Sequence, residues 1–230
     1  MKINPCGICL RCALLLILSL CTVLTGWSQI DVGGRLQFGS SMVKVDFQPI
    51  NAAFLQRIAP SGFAGCYARF PRANNNYITL AFGLNLLNQR NTIHLETTDQ
   101  NGMPCDVDSR FFGYYPFLSL PATYEWGNEN YSIGAGIQPS LRIGGYGIEK
   151  MQGVCEGKTI DTRSILGTSL RTWCVGPVIT ATKKLSPDMT FIMTAHYGFQ
   201  SDPINKDLLA TTFTSVTLGI DYKLFKLKGE

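Results

Sequence analysis

From Tyr131 to Ile143 every second residue is apolar or aromatic: Tyr131, Ile133, Ala135, Ile137, Pro139, Leu141 and Ile143. The residues between them, Ser132, Gly134, Gly136, Gln138, Ser140 and Arg142, are small or polar. Side chains alternate faces along a strand, so one face is built for an apolar medium and the other is not. The run is much longer than the usual soluble strand of about 5–6 residues. It matches the roughly 9–11 residues that a tilted strand needs to cross a bilayer.

The same pattern recurs along the chain. A first strand is expected over 30–41, with Val32, Leu36 and Phe38 on one face and Arg35 and Gln37 on the other. A second covers 62–70. A third covers 77–88, with Ile78, Leu80, Phe82, Leu84 and Leu86 sharing a face, and its pattern can be followed past a bulge at Leu87 as far as Leu95. The fourth is 111–126, with Leu118, Leu120, Ala122, Tyr124 and Trp126 together, and 131–143 is the fifth. The sixth is placed in 165–183, the seventh in 190–200 and the eighth in 215–224. Pro139 and Pro177 remove ladder donors and are expected at bulges or near a rim.

Connections alternate in length. The segments 71–76, 127–130 and 184–188 are short turns, whereas 48–60, 97–108, 144–163 and 201–209 read as longer loops. Outer-membrane barrels have short periplasmic turns and longer external loops. The expected fold is therefore all-β: an eight-stranded antiparallel up-and-down transmembrane β-barrel over 29–230. A soluble lipocalin-like barrel is the competing architecture, with its apolar face turned inward. Long aliphatics on one face, and Tyr124, Trp126, Tyr131 and Tyr222 near strand ends, favour the membrane reading.

Residues 1–28 read as a signal peptide. Lys2 and Arg11 form its basic region, Ala13 to Leu24 its apolar region, and Gly26-Trp27-Ser28 a cleavage site before Gln29. A membrane anchor and lipidation at Cys21 are the alternatives; the apolar run is short for a span, and Leu20 stands where a lipobox needs a small residue. The leader takes two of the 20 basic residues, leaving a near balance with the 16 acidic ones. That excludes nucleic acid as the natural partner. The expected surroundings are outer-membrane lipid and, in addition, another envelope protein.

These strands resemble the outer-membrane β-barrel domain of Bacteroidota, the PorT-like group. The likeness is carried by Leu118-Ser119-Leu120-Pro121-Ala122-Thr123-Tyr124, by Gly134-Ala135-Gly136-Ile137-Gln138-Pro139, by Ala195-His196-Tyr197-Gly198 and by the closing run Thr217 to Phe225. It spans roughly the whole mature chain. It implies an eight-stranded barrel in the bacterial outer membrane and an accessory role in protein export.

The polar faces carry Arg35, Arg69, Glu125, Arg142, His196, Asp221 and Lys223 toward the lumen, where the two acids can pair with the arginines. An eight-stranded barrel is just wide enough for side chains to fill. The main reading is a salt-bridged plug, and a narrow ion or proton path is the other. His94 with Glu96 is the one candidate for hydrolytic chemistry, set against a solvated loop histidine. There is no GxSxG, metal-ligand spacing or phosphate loop, so no catalytic set, metal or cofactor is expected. Cys105 and Cys155 fall in two external loops, which leaves a disulfide clamp and two free thiols both open. Cys66 is expected to face lipid and Cys174 the lumen. The expected function is a non-enzymatic structural or interaction module with contacting external loops that include Phe54 and Tyr146. A small-solute channel and a lipid-modifying enzyme are the alternatives.

Overall fold

The computed structural model describes residues 29–45, 52–72, 75–98, 104–128, 130–155, 157–167, 173–200 and 211–228. The expected signal peptide and the 201–209 loop lie outside the described residues. Twelve strands run in chain order: β1 (Gln29–Val45), β2 (Ala52–Arg57), β3 (Ala59–Pro71), β4 (Tyr77–Thr98), β5 (Pro104–Ser119), β6 (Ala122–Gly127), β7 (Tyr131–Arg142), β8 (Tyr146–Cys155), β9 (Lys158–Gly167), β10 (Trp173–Lys184), β11 (Met189–Gln200) and β12 (Thr211–Lys228).

Eight staves close into a ring. β1 pairs with β12 on one side and β3 on the other. β3 pairs with β4, and β4 with β5 and β6 in a single register. β5 and β6 form one stave, interrupted at Leu120–Pro121, and both pair with β7. β7 then pairs directly with β10, β10 with β11, and β11 with β12. Every pairing is antiparallel. Closure leaves the barrel wall no open edge, which a lipid environment demands of a sheet.

The polarity is inside-out relative to a soluble protein. Phe38 and Ile133 are 67% and 64% exposed on the outer wall, whereas Glu125 and Asp221 are fully buried inside it. An outward band of Leu36, Phe82, Leu84, Ile137, Ile179 and Leu218 surrounds the ring. Trp126, Tyr131 and Tyr222 lie exposed toward the end that carries the short turns, and Trp173, Tyr197 and Phe199 toward the other. Two aromatic belts flanking an apolar band are the signature of a bilayer-spanning barrel.

The external connections differ from the expected loops. β4 runs on to Thr98 with no register shift, and β5 begins at Pro104, so the 97–108 region is largely a hairpin rather than a loop. Likewise β8 and β9 form a hairpin across most of 144–163, and Ile165 belongs to β9 rather than to the sixth stave. β2 lies within the expected 48–60 loop and pairs with the upper part of β4. Together β2, β4, β5, β8 and β9 make an antiparallel sheet standing above the barrel on the external side. The polar composition that suggested loops instead reflects strands with polar residues on both faces.

The prolines sit neither at bulges nor at a rim. Pro139 stands opposite Leu120 and Pro121 opposite Gln138 where β7 passes the β5–β6 interruption, and the register on either side is unchanged. Leu120 N donates to Pro139 O at 2.9 Å, and Ala81 N donates to Pro121 O at 2.9 Å, so the wall holds through the gap. The ladder between β10 and β11 skips Gly176 and Pro177 and resumes in register at Val178. Missing donors cost only local hydrogen bonds when each proline keeps its other neighbour.

Candidate functional site

The lumen holds two layers of different chemistry. The first lies toward the periplasmic turns. β1 and β12 place Arg35 opposite Asp221 as cross-strand partners. Arg35 Nε donates to Asp221 Oδ1 at 2.7 Å, and its Nη2 donates to Oδ2 at 2.8 Å. Such a two-bond pair fixes direction as well as charge. From β3, Arg69 Nη2 reaches Glu125 Oε2 at 3.3 Å and Asp221 Oδ2 at 3.9 Å. Two cations therefore meet two carboxylates, a neutral set in a space where an unpaired charge would be costly.

The surroundings of this set are ordered in turn. Tyr67 lies under both guanidinium groups, with Arg35 at 5.6 Å and Arg69 at 6.0 Å from its ring centre. Ser132 Oγ donates to Glu125 Oε2 at 3.0 Å and lies 2.6 Å from Thr182 Oγ1. Gly134 on β7 allows the close approach: a Cβ there would stand 2.8 Å from Glu125 Cγ and 2.6 Å from Thr180 Oγ1. The sequence-expected Lys223 is separate from this set. It sits at the mouth, bonded to Pro187 O at 2.8 Å and paired with Asp188 at 3.3 Å.

The second layer lies toward the external side and is apolar. Val43, Leu87, Tyr115, Phe117, Cys174 and Phe213 form one buried cluster. Phe213 packs edge-on to Phe117 at 5.6 Å and to Tyr115 at 6.3 Å. Arg142 belongs to this end, its guanidinium 5.6 Å from the Tyr115 ring centre. On β7 it stands eight residues beyond Gly134, the cross-strand partner of Glu125. Leu87 explains the irregularity in its strand: it is a lumen-facing apolar residue on an unbulged strand, not a bulge.

Between the layers, Gln37 Nε2 donates to Thr194 Oγ1 at 2.8 Å. His196 stands at this level, buried, and neither ring nitrogen has a hydrogen-bond partner among the described residues. It joins neither charged group. A cavity of ≈ 20 Å³ lies beside it, room for about one water. A second, of ≈ 100 Å³, opens at the periplasmic mouth beside Asp31, Arg69 and Lys223.

Above the barrel, Cys105 and Cys155 are direct cross-strand partners on β5 and β8 and form a disulfide, with Cα atoms 4.2 Å apart. Cys66 is free and exposed on the outer wall, and Cys174 is free and buried in the apolar layer. His94 Nδ1 lies 2.9 Å from Asp108 Oδ1 and 3.7 Å from Asp106 Oδ1 on the neighbouring strand. Its acidic neighbours therefore come from across the sheet, a pairing that sequence proximity to Glu96 did not suggest. Tyr146 stacks on Tyr114 at 4.7 Å, and the side chain of Phe54 lies outside the described residues. No group of His, Cys, Asp and Glu among the described residues could hold a metal ion.

A closed antiparallel ring with a filled interior that buries paired charges and an apolar, aromatic-belted exterior defines the class: this is a β-barrel protein of the bacterial outer membrane. No family model matches the chain, and no curated protein matches it. Among solved structures it is similar to Neisserial surface protein A, at 10% identity and TM-score 0.42 over 84% of this chain and 97% of that one. It is also similar to Ail, the attachment invasion locus protein of Yersinia pestis, at 14% identity and TM-score 0.35 over 86% and 99% of the two chains. A third is the outer membrane protein OprG from Pseudomonas aeruginosa, at 9% identity and TM-score 0.36 over 88% and 97%. At these values the class rests on the chain's own ladder and polarity.

Proposed function

We propose that the protein is a non-enzymatic outer-membrane barrel that works as an interaction module through its external sheet. The observation that carries this reading is the contrast between a filled lumen and an ordered superstructure. Two layers occupy the bore, while five strands continue above the membrane and a disulfide ties β5 to β8. Ordered strands with an external cross-link suit a surface held ready for a partner, because little chain entropy remains to be lost on binding. The resemblance to the PorT-like group makes another envelope protein the partner class, in an accessory role for protein export.

The test uses tagged protein isolated from its native outer membrane in mild detergent. The expected result is a stoichiometric envelope protein that is lost when the β8–β9 hairpin is replaced by a short turn. Recovery of the barrel alone from both forms would overturn the reading.

A further inference from the structure

The outward face of the external sheet carries a row of cations in cross-strand register. Arg57 on β2 stands opposite Arg90 on β4. One residue pair further up, Arg110 on β5 stands opposite Lys150 on β8, and Lys150 opposite Arg163 on β9. All five are exposed. Like charges placed directly opposite one another on neighbouring strands are destabilising. Among the described residues none of the five has an ion-pair partner. The nearest acid in the groove, Asp108, is held by His94.

The level of this row identifies what it meets. Its residues lie on the same face as the lipid-contacting wall. On β4 that face reads Phe82, Leu84 and Leu86, is covered at the buried Asn88, and is exposed again at Arg90. On the neighbouring strands Phe112, Ile148 and Ile165 continue the Arg90 row, and Ile165 is 72% exposed. The Thr92–Arg110–Lys150–Arg163 row follows immediately above. Apolar side chains below and cations above are the arrangement in which long basic side chains cover acyl chains and reach the headgroup level. Arg57, Arg90, Arg110, Lys150, Phe112 and Ile148 also line a groove of ≈ 620 Å³.

We infer that this face binds the phosphate groups of anionic lipid in the external leaflet. Guanidinium groups take phosphate oxygens in pairs, and several neighbouring cations share one multiply charged headgroup. The inference goes beyond the proposed partner role, since it uses only the sheet's membrane-side outer face and the barrel's place in the bilayer.

The test titrates the folded full barrel in detergent with purified phosphorylated lipopolysaccharide, and with the same lipid after removal of its phosphates. Two variants are compared: Arg90→Gln with Arg110→Gln and Lys150→Gln, and a control, Lys184→Gln with Lys226→Gln, at the opposite rim. A heat-modifiable gel shift confirms that each is folded. Phosphorylated lipid is expected to bind the wild type and the control alike, and the triple variant about a hundredfold more weakly, because each basic residue near an anionic membrane surface contributes on the order of fivefold. Raising the salt concentration should narrow that gap. Equal binding by the triple variant, or equal binding of dephosphorylated lipid, would overturn the inference. So would inorganic phosphate or soluble polyphosphate binding as tightly as the lipid, since the site would then not be a lipid site.

Discussion

The two lumen layers fill similar cross-sections of the same ring by opposite means. The periplasmic layer uses Arg35, Arg69, Glu125 and Asp221, each within ion-pair distance of a partner of opposite charge. The external layer uses Phe117, Phe213, Leu87, Val43 and Tyr115, which need only fit together. The difference teaches how each layer fails. A charged layer is stable only when complete, because removing one member leaves a buried charge with no counterpart. An apolar layer loses contacts in proportion to the volume removed.

The largest effect is therefore expected from Asp221→Ala, which strips both hydrogen bonds from Arg35. A loss of about 3–5 kcal/mol should appear in urea unfolding from lipid vesicles. Replacing both partners, Arg35→Met with Asp221→Leu, should recover most of that loss, since an apolar pair of similar volume leaves no charge behind. If the double variant were as unstable as the single one, the contrast between the layers would fail.

Phe117→Ala is next. It should cost about 3 kcal/mol by opening a cavity against Phe213, and no second substitution at a charged partner should be able to compensate. A loss below about 1 kcal/mol would mean that the layer collapses readily around the gap.

Cys155→Ser tests whether the layers depend on the sheet above them. The cross-link spans a sequence separation of 50, and its loss should destabilise the external sheet by about 2–4 kcal/mol. Limited proteolysis should then clip the external strands while the barrel keeps its gel shift. Peptide mapping without reductant should find Cys105 joined to Cys155 and Cys66 and Cys174 unlinked.

The smallest effect is expected from Lys223→Ala. Its pairing with Asp188 stands at the wet mouth, where ion pairs contribute little, so stability should change by less than about 1 kcal/mol. Lys223 and Arg35 both lie on the polar faces read from the sequence, yet only Arg35 should matter to the fold.

Much of the barrel was legible because alternation has a period of two and a membrane wall enforces it on every stave. Leu36 and Phe38, Ile133 and Ile137, and Val216 and Leu218 all face outward on that basis. Above the bilayer the constraint vanishes. Strands such as β8 and β9 have polar residues on both faces, and their composition is that of a loop. The charged cluster was legible as a set of inward-facing residues but not as a geometry: Arg142 and His196 lie on the same faces as Arg35 yet at other heights. The apolar layer left a fainter trace in adjacent pairs, Leu86-Leu87 and Phe117-Leu118, where one member faces lipid and the other the lumen. The basic row could not be read at all without the register, because Arg57, Arg90, Arg110, Lys150 and Arg163 come from five separate strands.

The most direct test of the two-layer lumen is single-channel recording of the refolded barrel in a planar lipid bilayer. The wild type should insert without resolved conductance steps, and Phe117→Ala alone should remain silent because the charged layer still closes the bore. Steady, discrete steps from the wild type would contradict the account, since they would require a continuous water path through both layers.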